Sequence, residues 1–381
     1  MFNKKQLAQV LSLMLITWLP FGSVPAPSVR AQQPQQTPST TRTRRTVDSP
    51  RTTEPQQQPT TQDDDTTLQD DSDVVRVETD LTNILFTAVD KQKRFVTNLR
   101  QEDIRVLEDG QPQEVFAFNR QTDLPLSLAI VIDTSRSEER TLPIEKAAAA
   151  AFVDAVLRPE KDEVAVVSFT GEATLEQGLT SNVASVRRAI NRVEYVPPAG
   201  YFGGGPVAGT PPISGTNQSL AGSTAIWDAI WVTSEEVLTQ TSDKTRRAII
   251  LLSDGVDSSS QKKMEHAIDR VIKADAVIYA IGIGDEYFGG INEGSMKKLA
   301  ERTGGRAYFP RDEEDLRVAF AQIQEELRSQ YLVAYSPTNK NRDGSYRKVQ
   351  IEVVNPQTRK NLRLTYRQGY FAKSNAAKKQ G

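Results

Sequence analysis

The sequence predicts an α/β fold in which a doubly wound, mainly parallel sheet is inserted in a small β-sandwich. Two short aliphatic runs without polar alternation, at 126–132 and 248–252, are typical of strands buried on both faces of a parallel sheet. Strand and helix patterns alternate between about 125 and 330, which indicates repeated βα units. Strand patterns without helices precede and follow this region, and we expect them to pair with each other, because isolated hairpins are marginally stable.

The composition of the 381 residues excludes several classes of site. Lys and Arg (47) nearly balance Asp and Glu (49), so the formal net charge of −2 predicts no nucleic-acid partner. The absence of cysteine excludes disulfides, thiolate metal sites and a lipid anchor on cysteine. His266 is the single histidine, and this makes a zinc hydrolase or a Ser-His-Asp enzyme hard to build.

The first 31 residues have the pattern of a signal peptide. Two lysines near the start precede an interrupted apolar core over 7–24, and small residues lead up to Ala31. We expect cleavage near Ala31, so that the mature protein is secreted to the periplasm or the cell surface. The alternative is an uncleaved membrane anchor, although the apolar stretch is short and interrupted for a spanning helix.

Residues 32–73 are predicted to be a disordered linker. They are mostly Gln, Pro, Thr, Ser, Arg and Asp, and so cannot bury enough apolar surface to offset the entropy of the chain. A tether that holds the folded part away from a membrane or wall is the functional alternative to a plain linker. Residues 373–381 are predicted to form a short tail.

Residues 74–122 are predicted to contribute the N-terminal β-strands. Alternating apolar residues and β-branched runs indicate about four short strands. The Asp109-Gly110 pair is a hairpin signal, and it lies between the strand patterns at 104–107 and 115–118.

Residues 125–330 are predicted to form the α/β domain. Pro143 falls in the first turn of its first helix, in which Ile144, Ala148, Phe152 and Val156 are spaced for a buried face. A later helix over 225–238 is predicted to be capped by Ser223. The remaining predicted helices lie near 183–190, 264–272, 295–302 and 314–328, and the remaining strands near 164–169, 276–283 and 306–309, with an antiparallel edge at 173–177.

Residues 331–372 are predicted to be C-terminal strands that pack with the N-terminal ones. Strand patterns occupy 331–335, 347–354 and 362–366. Asp343-Gly344 predicts a hairpin between the first two of these strands.

Five oxygen-bearing residues stand at positions where they would meet, four after predicted strands and one at the head of a helix. Asp133, Ser135 and Ser137 follow the first aliphatic run, Asp254 follows the second, and Thr224 stands at the head of a helix. Open α/β sheets bind ligands at the carboxyl ends of their strands, where the strand order reverses. Two carboxylates and three hydroxyls form a hard-oxygen set that predicts Mg²⁺, with Mn²⁺ or Ca²⁺ as alternatives.

The order Asp-x-Ser-x-Ser, distant Thr and Ser-Asp-Gly resembles the metal-ion-dependent adhesion site (MIDAS) of von Willebrand factor type A domains. All five positions match: Asp133, Ser135, Ser137, Thr224 and Asp254. The resemblance implies a Rossmann-like domain over 125–330, direct metal contacts from the two serines, and contacts from the two aspartates that are direct or through water. It implies that the threonine contacts the metal in one state and lies farther away in another.

Three further motifs resemble those of secreted bacterial proteins that carry a von Willebrand factor A-related domain. They are Val-Leu-Glu-Asp-Gly at 106–110, Asp-Gly-Ser-Tyr-Arg at 343–347 and Arg-Gln-Gly-Tyr-Phe at 367–371. With them the resemblance covers about 76–372.

The predicted function is metal-dependent binding of a partner protein, without catalysis. Neutral hydroxyls leave the cation short of negative charge, so an acidic side chain of a partner can complete its shell. One alternative is a metal-assisted hydrolase, against which no general base is apparent in the sequence. Another is a structural envelope protein in which the metal only stabilises the domain. The sequence does not predict an oligomeric state.

Three residues near the predicted site are possible partner contacts. Arg136 stands where the family usually has a small residue, and we expect it to point into solvent against Glu138. Tyr201 and Phe202 lie in a Gly/Pro-rich stretch beside the site.

Overall fold

The computed structural model describes residues 81–120, 124–195, 201–202, 205–206, 223–242, 244–284 and 290–374. The predicted signal peptide and linker lie outside the described residues, as do the start of the N-terminal strand region and most of the tail. No helix in the described part of the chain combines the length and the apolar character that crossing a membrane requires.

The described chain forms sixteen strands and seven α-helices. The strands are β1 (Thr82–Asp90), β2 (Ile104–Glu108), β3 (Gln111–Gln113), β4 (Val115–Arg120), β5 (Leu126–Asp133), β6 (Glu163–Phe169), β7 (Ala173–Thr180), β8 (Tyr201–Phe202), β9 (Gly205–Pro206), β10 (Arg246–Ser253), β11 (Ala276–Gly282), β12 (Ala307–Tyr308), β13 (Tyr331–Tyr335), β14 (Tyr346–Val353), β15 (Leu362–Tyr366) and β16 (Gly369–Phe371). The helices are α1 (Leu142–Val156), α2 (Val183–Arg192), α3 (Ile226–Val232), α4 (Met264–Lys273), α5 (Glu293–Thr303), α6 (Glu313–Arg328) and α7 (Pro356–Arg359).

The central sheet confirms the predicted doubly wound, mainly parallel architecture. Its order is β12-β11-β10-β5-β6-β7, and every pair is parallel except β6 with β7. Helices α1, α2 and α6 pack on one face, and α3, α4 and α5 pack on the other. The chain runs from β5 to β6 in one direction and from β10 to β11 in the other. The order therefore reverses between β5 and β10, where this class of sheet binds ligands.

The remaining strands form the predicted small sandwich. One sheet has the order β15-β1-β13-β4 and the other β16-β14-β2-β3, so each combines strands from before and after the α/β domain. Both sheets contribute to one apolar core. The strands before the α/β domain thus pair with those after it, and this pairing stabilises short strands that would be marginal alone.

The two Asp-Gly hairpin predictions had different outcomes. Asp109 and Gly110 both have positive φ (48° and 82°), and they join β2 to β3. The strand predicted as the partner is β4, which instead crosses to the other sheet and pairs with β13. The hairpin predicted at Asp343-Gly344 is wrong, because β13 and β14 belong to different sheets. An Asp-Gly pair indicates a reversal of the chain, but it does not determine which strand lies alongside.

The predicted apolar face of α1 was partly wrong. Ala148, Phe152 and Val156 are buried, whereas Ile144 is 43% exposed. Successive steps of four residues drift by roughly 40° around a helix of 3.6 residues per turn. In the first turn the buried face is instead formed by Leu142 and by Glu145, which is fully buried.

Helix α3 begins near the predicted position, but Ser223 does not cap it. The chain continues from Val232 through a π-helical turn, Thr233–Val237, and a 3-10 turn, Leu238–Gln240. The first amide of the helix, that of Ile226, has no acceptor within the helix and donates to Asp257 Oδ1 at 2.8 Å. The amide of Trp227 donates to Ser260 Oγ at 3.0 Å. The caps therefore come from the loop that follows β10.

Candidate metal centre

Asp133 and Asp254 stand at the same edge of the central sheet. Strands β5 and β10 are parallel neighbours in which Ile132 pairs with Leu252, so the chain leaves both strands at the same level. Asp133 is fully buried and Asp254 is almost so. The register of β5 and β10 therefore brings the two aspartates to one edge, as the sequence predicted.

The loop after β5 is folded around the carboxyl group of Asp133. Its Oδ1 accepts a hydrogen bond from the amide of Ser135 at 2.9 Å, and its Oδ2 accepts one from Ser253 Oγ at 2.7 Å. Ser135 Oγ and Ser137 Oγ lie 3.2 Å apart. Its own loop thus holds one oxygen of this carboxyl and the neighbouring strand β10 holds the other. The two serine hydroxyls of the motif face each other.

The loop after β10 needs the glycine of its Ser-Asp-Gly motif. Asp254 Oδ1 accepts a hydrogen bond from the amide of Val256 at 2.8 Å, which closes a tight turn. Gly255 has a φ of 77°, and a Cβ built on it would lie 2.7 Å from Met296 Cγ. Only glycine fits this turn without strain.

The loop that carries Thr224 lies against the loop that carries Asp254. The amide of Thr224 donates to Ser258 Oγ at 2.8 Å, and its carbonyl accepts from the amides of Ser258 and Ser259 at 2.9 and 3.0 Å. The amide of Ala225 donates to the carbonyl of Thr170, just beyond β6, at 2.8 Å. Thr224 itself is buried. Backbone hydrogen bonds therefore bring the third predicted loop to the same edge as the first two.

Two acidic residues that the sequence reasoning did not assign to the site lie in this cluster. Glu138 ends a 3-10 turn, Arg136–Glu138, directly after Ser137, and it is fully buried. One oxygen each from Asp133, Glu138 and Asp254 lie within 4.8 Å of one another. Thr141 Oγ1 donates to Glu138 Oε2 at 2.7 Å, whereas Glu138 Oε1 has no hydrogen-bond partner in the described part of the chain.

Glu145 lies behind Glu138 in the first turn of α1. The two carboxyls are close enough to share a hydrogen bond when one is protonated. When both are ionised neither can donate, and within the described residues both oxygens of Glu145 then have no partner. The signal that could have identified Glu145 is its spacing, because it precedes Ala149 and Phe152 by four and seven residues and so shares their buried face.

The position of Glu138 overturns one expectation about Arg136. The sequence analysis placed both side chains in solvent, facing each other. Arg136 is exposed, but Glu138 turns inward towards Asp133 and Asp254. In a 3-10 turn successive side chains are rotated by about 120°, so Arg136 and Glu138, two positions apart, point in different directions. Tyr201 and Phe202 form β8, which pairs with β9, and their side chains lie outside the described residues.

Burial dominates the electrostatics of the four carboxyls. It raises the pKa of Asp133 to about 7, against the opposing hydrogen bonds from Ser253 and Ser135. Burial also raises the pKa of Glu138, and the carboxylates of Glu145 and Asp133 raise it further. The pKa values of Glu145 and Asp254 are raised by burial as well. A low-dielectric site that holds several like charges disfavours their ionised forms.

No salt bridge in the described part of the chain joins any of these four carboxyls to a cationic side chain. In proteins generally, buried carboxylates are paired with a cationic group or coordinate a metal ion. The donor set consists of oxygens alone, which fits Mg²⁺, Mn²⁺ or Ca²⁺. Glu138 Oε1, buried and without a partner, is the atom that most clearly fits a bound cation.

Sequence models of the von Willebrand factor type A domain match this region of the chain. One matches residues 128–256 and another matches residues 212–325, so together they run from β5 into α6. The chain contains a von Willebrand factor type A domain. The family resemblance inferred from the motifs is thereby confirmed, and the three loops described above lie within the matched residues.

Several solved structures are similar to this chain at low identity. Proximal thread matrix protein 1 from the mussel byssus is 22% identical with a TM-score of 0.43, over 58% of this chain and 51% of that chain. A von Willebrand factor type A protein from Catenulispora acidiphila is 14% identical with a TM-score of 0.43, over 80% and 76%. BatB from Bacteroides thetaiotaomicron is 18% identical with a TM-score of 0.40, over 54% and 100%.

The match to the mussel protein is partial, since this chain spans about half of that protein's length. One structure of the mussel protein has a zinc-occupied MIDAS motif. No curated protein matches this sequence.

Proposed function

We propose that this protein is a divalent-metal-dependent binding module that coordinates an acidic side chain of a partner protein. The observation that carries the proposal is the cluster of buried carboxyls at the carboxyl edge of β5 and β10, which lacks a cationic partner in the described part of the chain. Von Willebrand factor type A domains generally mediate metal-dependent protein interactions. The partner is a protein that offers Asp or Glu, and nucleic acid is not a ligand.

The proposed ligands of the cation are Asp133, Ser135, Ser137, Thr224 and Asp254, with Glu138 added from the structure. Mg²⁺ is the proposed metal, with Mn²⁺ or Ca²⁺ as substitutes. When bound, the cation supplies a Lewis-acidic centre for an external carboxylate. The chain's own contribution is to hold the donors: Ser253 and the amide of Ser135 orient Asp133, and the amide of Val256 orients Asp254.

The proposal extends to where the protein acts and to the rim of the site. We propose that the signal peptide is cleaved near Ala31 and that the domain acts in the periplasm or at the cell surface, because the first 31 residues have the signal-peptide pattern. Arg136 is exposed directly beside Ser137, where a guanidinium can meet an acidic partner. Tyr201 and Phe202 are proposed as further contacts.

The first test is calorimetric titration of the full chain with Mg²⁺ and Mn²⁺. Wild type and Glu139→Gln are expected to bind one ion each with equal affinity, because Glu139 is exposed. Asp133→Ala is expected to lose binding. A wild-type protein that binds neither ion contradicts the proposal, and so does an Asp133→Ala variant that binds as well as wild type.

The second test is partner capture from an envelope extract, with Mg²⁺ or with EDTA, by wild type and by Asp133→Ala. A genuine partner is retained only by wild type with Mg²⁺. It then loses binding when one of its own acidic residues is replaced by the amide. A protein retained equally by Asp133→Ala is not bound through the metal.

A metal-assisted hydrolase is the second candidate, and the structure adds one observation in its favour. The sequence offered no general base, but Glu138 is a buried carboxyl close to Asp133 and Asp254 with a raised pKa, which is a feature of catalytic acids and bases. Turnover of phosphate, ester or peptide substrates by wild type, lost in Asp254→Ala and in Glu138→Gln, would replace the binding proposal with this one.

A structural role for the metal is the third candidate. Four buried carboxyls without cationic partners repel one another, so a cation stabilises the fold whether or not a partner binds. Protection of the folded state by Mg²⁺, together with failure of every acidic ligand to bind the loaded protein, would favour this role.

A further inference from the structure

We propose that Glu138 is a built-in competitor of the partner's acidic side chain: its carboxylate supplies to the metal the negative charge that a partner would otherwise bring. This inference rests on the proposed metal centre. It concerns how strongly that centre holds its cation and how readily it accepts an external carboxylate. Nothing in the five-residue adhesion motif requires a carboxylate at this position.

The geometry places Glu138 inside the cluster of ligands. Its carboxyl oxygen lies with those of Asp133 and Asp254 within a 4.8 Å group, and the whole side chain is buried. The residue directly follows Ser137, so the 3-10 turn that presents the second serine also turns Glu138 inward. No backbone rearrangement is needed to bring it to the cation.

The hydrogen bonds of Glu138 leave one carboxyl oxygen without a donor in the described part of the chain. Oε2 accepts from Thr141 Oγ1 at 2.7 Å, and this bond holds the carboxyl from the side of α1. Oε1 has no donor in the described part of the chain. A buried carboxylate oxygen without a donor costs free energy, and a cation among the neighbouring carboxylates removes that cost.

Glu145 favours the same orientation from behind. It packs against Glu138, its own oxygens have no donor in the described part of the chain, and repulsion between the two carboxylates is relieved when Glu138 faces a cation. No cationic side chain among the described residues pairs with either glutamate. A bound cation would therefore supply the positive charge that no described side chain gives to this pair.

Counting charges gives the consequence. The two aspartates of the motif neutralise a divalent cation, and its hydroxyl ligands add no charge. In such a site an external carboxylate approaches a neutral centre, whereas here Glu138 makes the loaded centre negative before any partner arrives. The cation is consequently held more tightly and an acidic ligand less tightly than in the same site without Glu138. A partner must displace the Glu138 carboxylate to reach the metal.

The test compares wild type, Glu138→Gln and Glu139→Gln, all as full chains loaded with Mn²⁺. Glu139→Gln removes the same charge one residue away at an exposed position. Mn²⁺ affinity is measured by calorimetry, and acetate serves as the carboxylate probe. Water-proton relaxation of the bound Mn²⁺ reports how much water the ion retains and at what acetate concentration that water is displaced.

We expect Glu138→Gln to weaken Mn²⁺ binding about tenfold, within the range seen when groups around a metal site are altered. Its bound Mn²⁺ is expected to retain more exchangeable water, and acetate to displace that water at about a tenth of the wild-type concentration. Glu139→Gln is expected to match wild type in all three measurements. The opposite signs of the effects on metal and acetate binding separate competition from a loss of structure, which weakens both.

The outcomes separate this inference from the function on which it rests. If wild type binds Mn²⁺, Asp133→Ala does not, and Glu138→Gln matches wild type, the metal centre stands and the inference is overturned. Weaker Mn²⁺ binding with unchanged water and acetate behaviour also overturns it, because Glu138 is then a ligand that does not compete. If wild type fails to bind Mn²⁺, the proposed function itself fails.

A second variant guards against misfolding of Glu138→Gln, which circular dichroism detects. Glu138→Asp keeps the charge and withdraws the carboxylate by one methylene. It is expected to bind acetate more tightly than wild type with little change in melting temperature. Acetate binding equal to that of wild type in a folded Glu138→Asp protein contradicts the inference.

Discussion

Two regions of this molecule bury carboxylates in opposite ways. In the sandwich, Glu108 is buried with Arg347, whose Nη1 lies 3.3 Å from Oε1. The hydroxyls of Tyr335 and Tyr370 each donate to Oε2 at 2.8 Å. At the edge of the central sheet, Asp133 and Glu138 are just as buried, but no cationic side chain in the described part of the chain pairs with them.

The difference shows which carboxylate serves the fold alone. The sandwich cluster is closed, since Arg347 also donates to the carbonyl of Asn339 at 2.6 Å and to that of Asn341. The charge of Glu108 and both of its carboxylate oxygens are satisfied within it. The carboxyl edge of the central sheet lacks such compensation, because no cationic side chain in the described part of the chain pairs with its carboxyls. Four predictions follow from the contrast.

The largest loss of stability is expected when the Glu108 cluster of the sandwich loses the guanidinium of Arg347. Arg347→Met leaves Glu108 buried with two hydroxyls but no positive charge, and removing one partner of a buried ion pair costs about 3–5 kcal/mol. Denaturant titration at pH 7 measures the free energy of unfolding. The control is Arg363→Met, which removes an exposed ion pair to Glu301 and is expected to have little effect. Equal losses in the two variants would show that the sandwich cluster contributes nothing special.

The contribution of Asp133, at the carboxyl edge of the central sheet, to the free energy of unfolding is expected to depend on pH when metal is absent. The pKa of Asp133 is raised from 3.8 to about 7, so the folded state binds more protons than the unfolded state between these values. The stability that this group contributes is complete below pH 4 and is lost as pH rises through 7. The slope is at most about 1.4 kcal/mol per pH unit.

Melting temperatures in EDTA from pH 4 to 8 test this expectation. Asp254, whose pKa is also raised, acts in the same direction. Excess Mg²⁺ is expected to flatten the slope, because a cation favours the ionised carboxylates. A slope of the same size with and without Mg²⁺ would locate the titrating groups elsewhere.

A smaller loss of stability is expected when the Glu108 cluster keeps Arg347 but loses one tyrosine hydroxyl. Tyr370→Phe removes one of the two tyrosine donors to Glu108, and a hydrogen bond to a charged group contributes about 1.5 kcal/mol at the low end. Tyr346→Phe is the matched control on a partly exposed ring of the same sheet. Denaturant midpoints of the two variants that coincide would argue against this contribution.

The smallest effect is expected to have the opposite sign. Glu145→Gln replaces a buried carboxyl that has no donor with an amide that can donate to Glu138, and we expect a gain of about 1 kcal/mol in EDTA. With Mg²⁺ in excess the gain is expected to shrink, because the cation already relieves the repulsion. Glu160→Gln, at an exposed position, is the control. A loss of stability in EDTA would mean that Glu145 is satisfied after all.

Much of the fold could be predicted because its signals are local. The unbroken aliphatic runs that became β5 and β10 predicted a parallel sheet, since only strands covered on both faces lack polar alternation. Their polar ends predicted which loops meet at its edge. The turn chemistry of Asp109-Gly110 predicted a reversal of the chain at that point. Period, turn residues and motif order are all properties of neighbouring positions.

Other features depended on residues far apart in the sequence. The caps of α3 come from Asp257 and Ser260 on another loop, so Ser223 was the wrong expectation. The pairing of β4 with β13 and the contact between Arg347 and Glu108, 239 positions apart, carry no local signal. Each is a match between surfaces that only packing brings together.

The sequence by itself determined the family, the architecture and the three loops that meet at the carboxyl edge of β5 and β10, because short-range spacing determines which side chains follow a strand and which cover a helix. Only the tertiary structure decided that Glu138 and Glu145 turn inward beside Asp133 without cationic partners in the described part of the chain, whereas Glu108 is given Arg347. The physical reason is that burial and electrostatic compensation depend on distances in space. Two glutamates can therefore be equally buried while only one of them has a cationic side chain beside it.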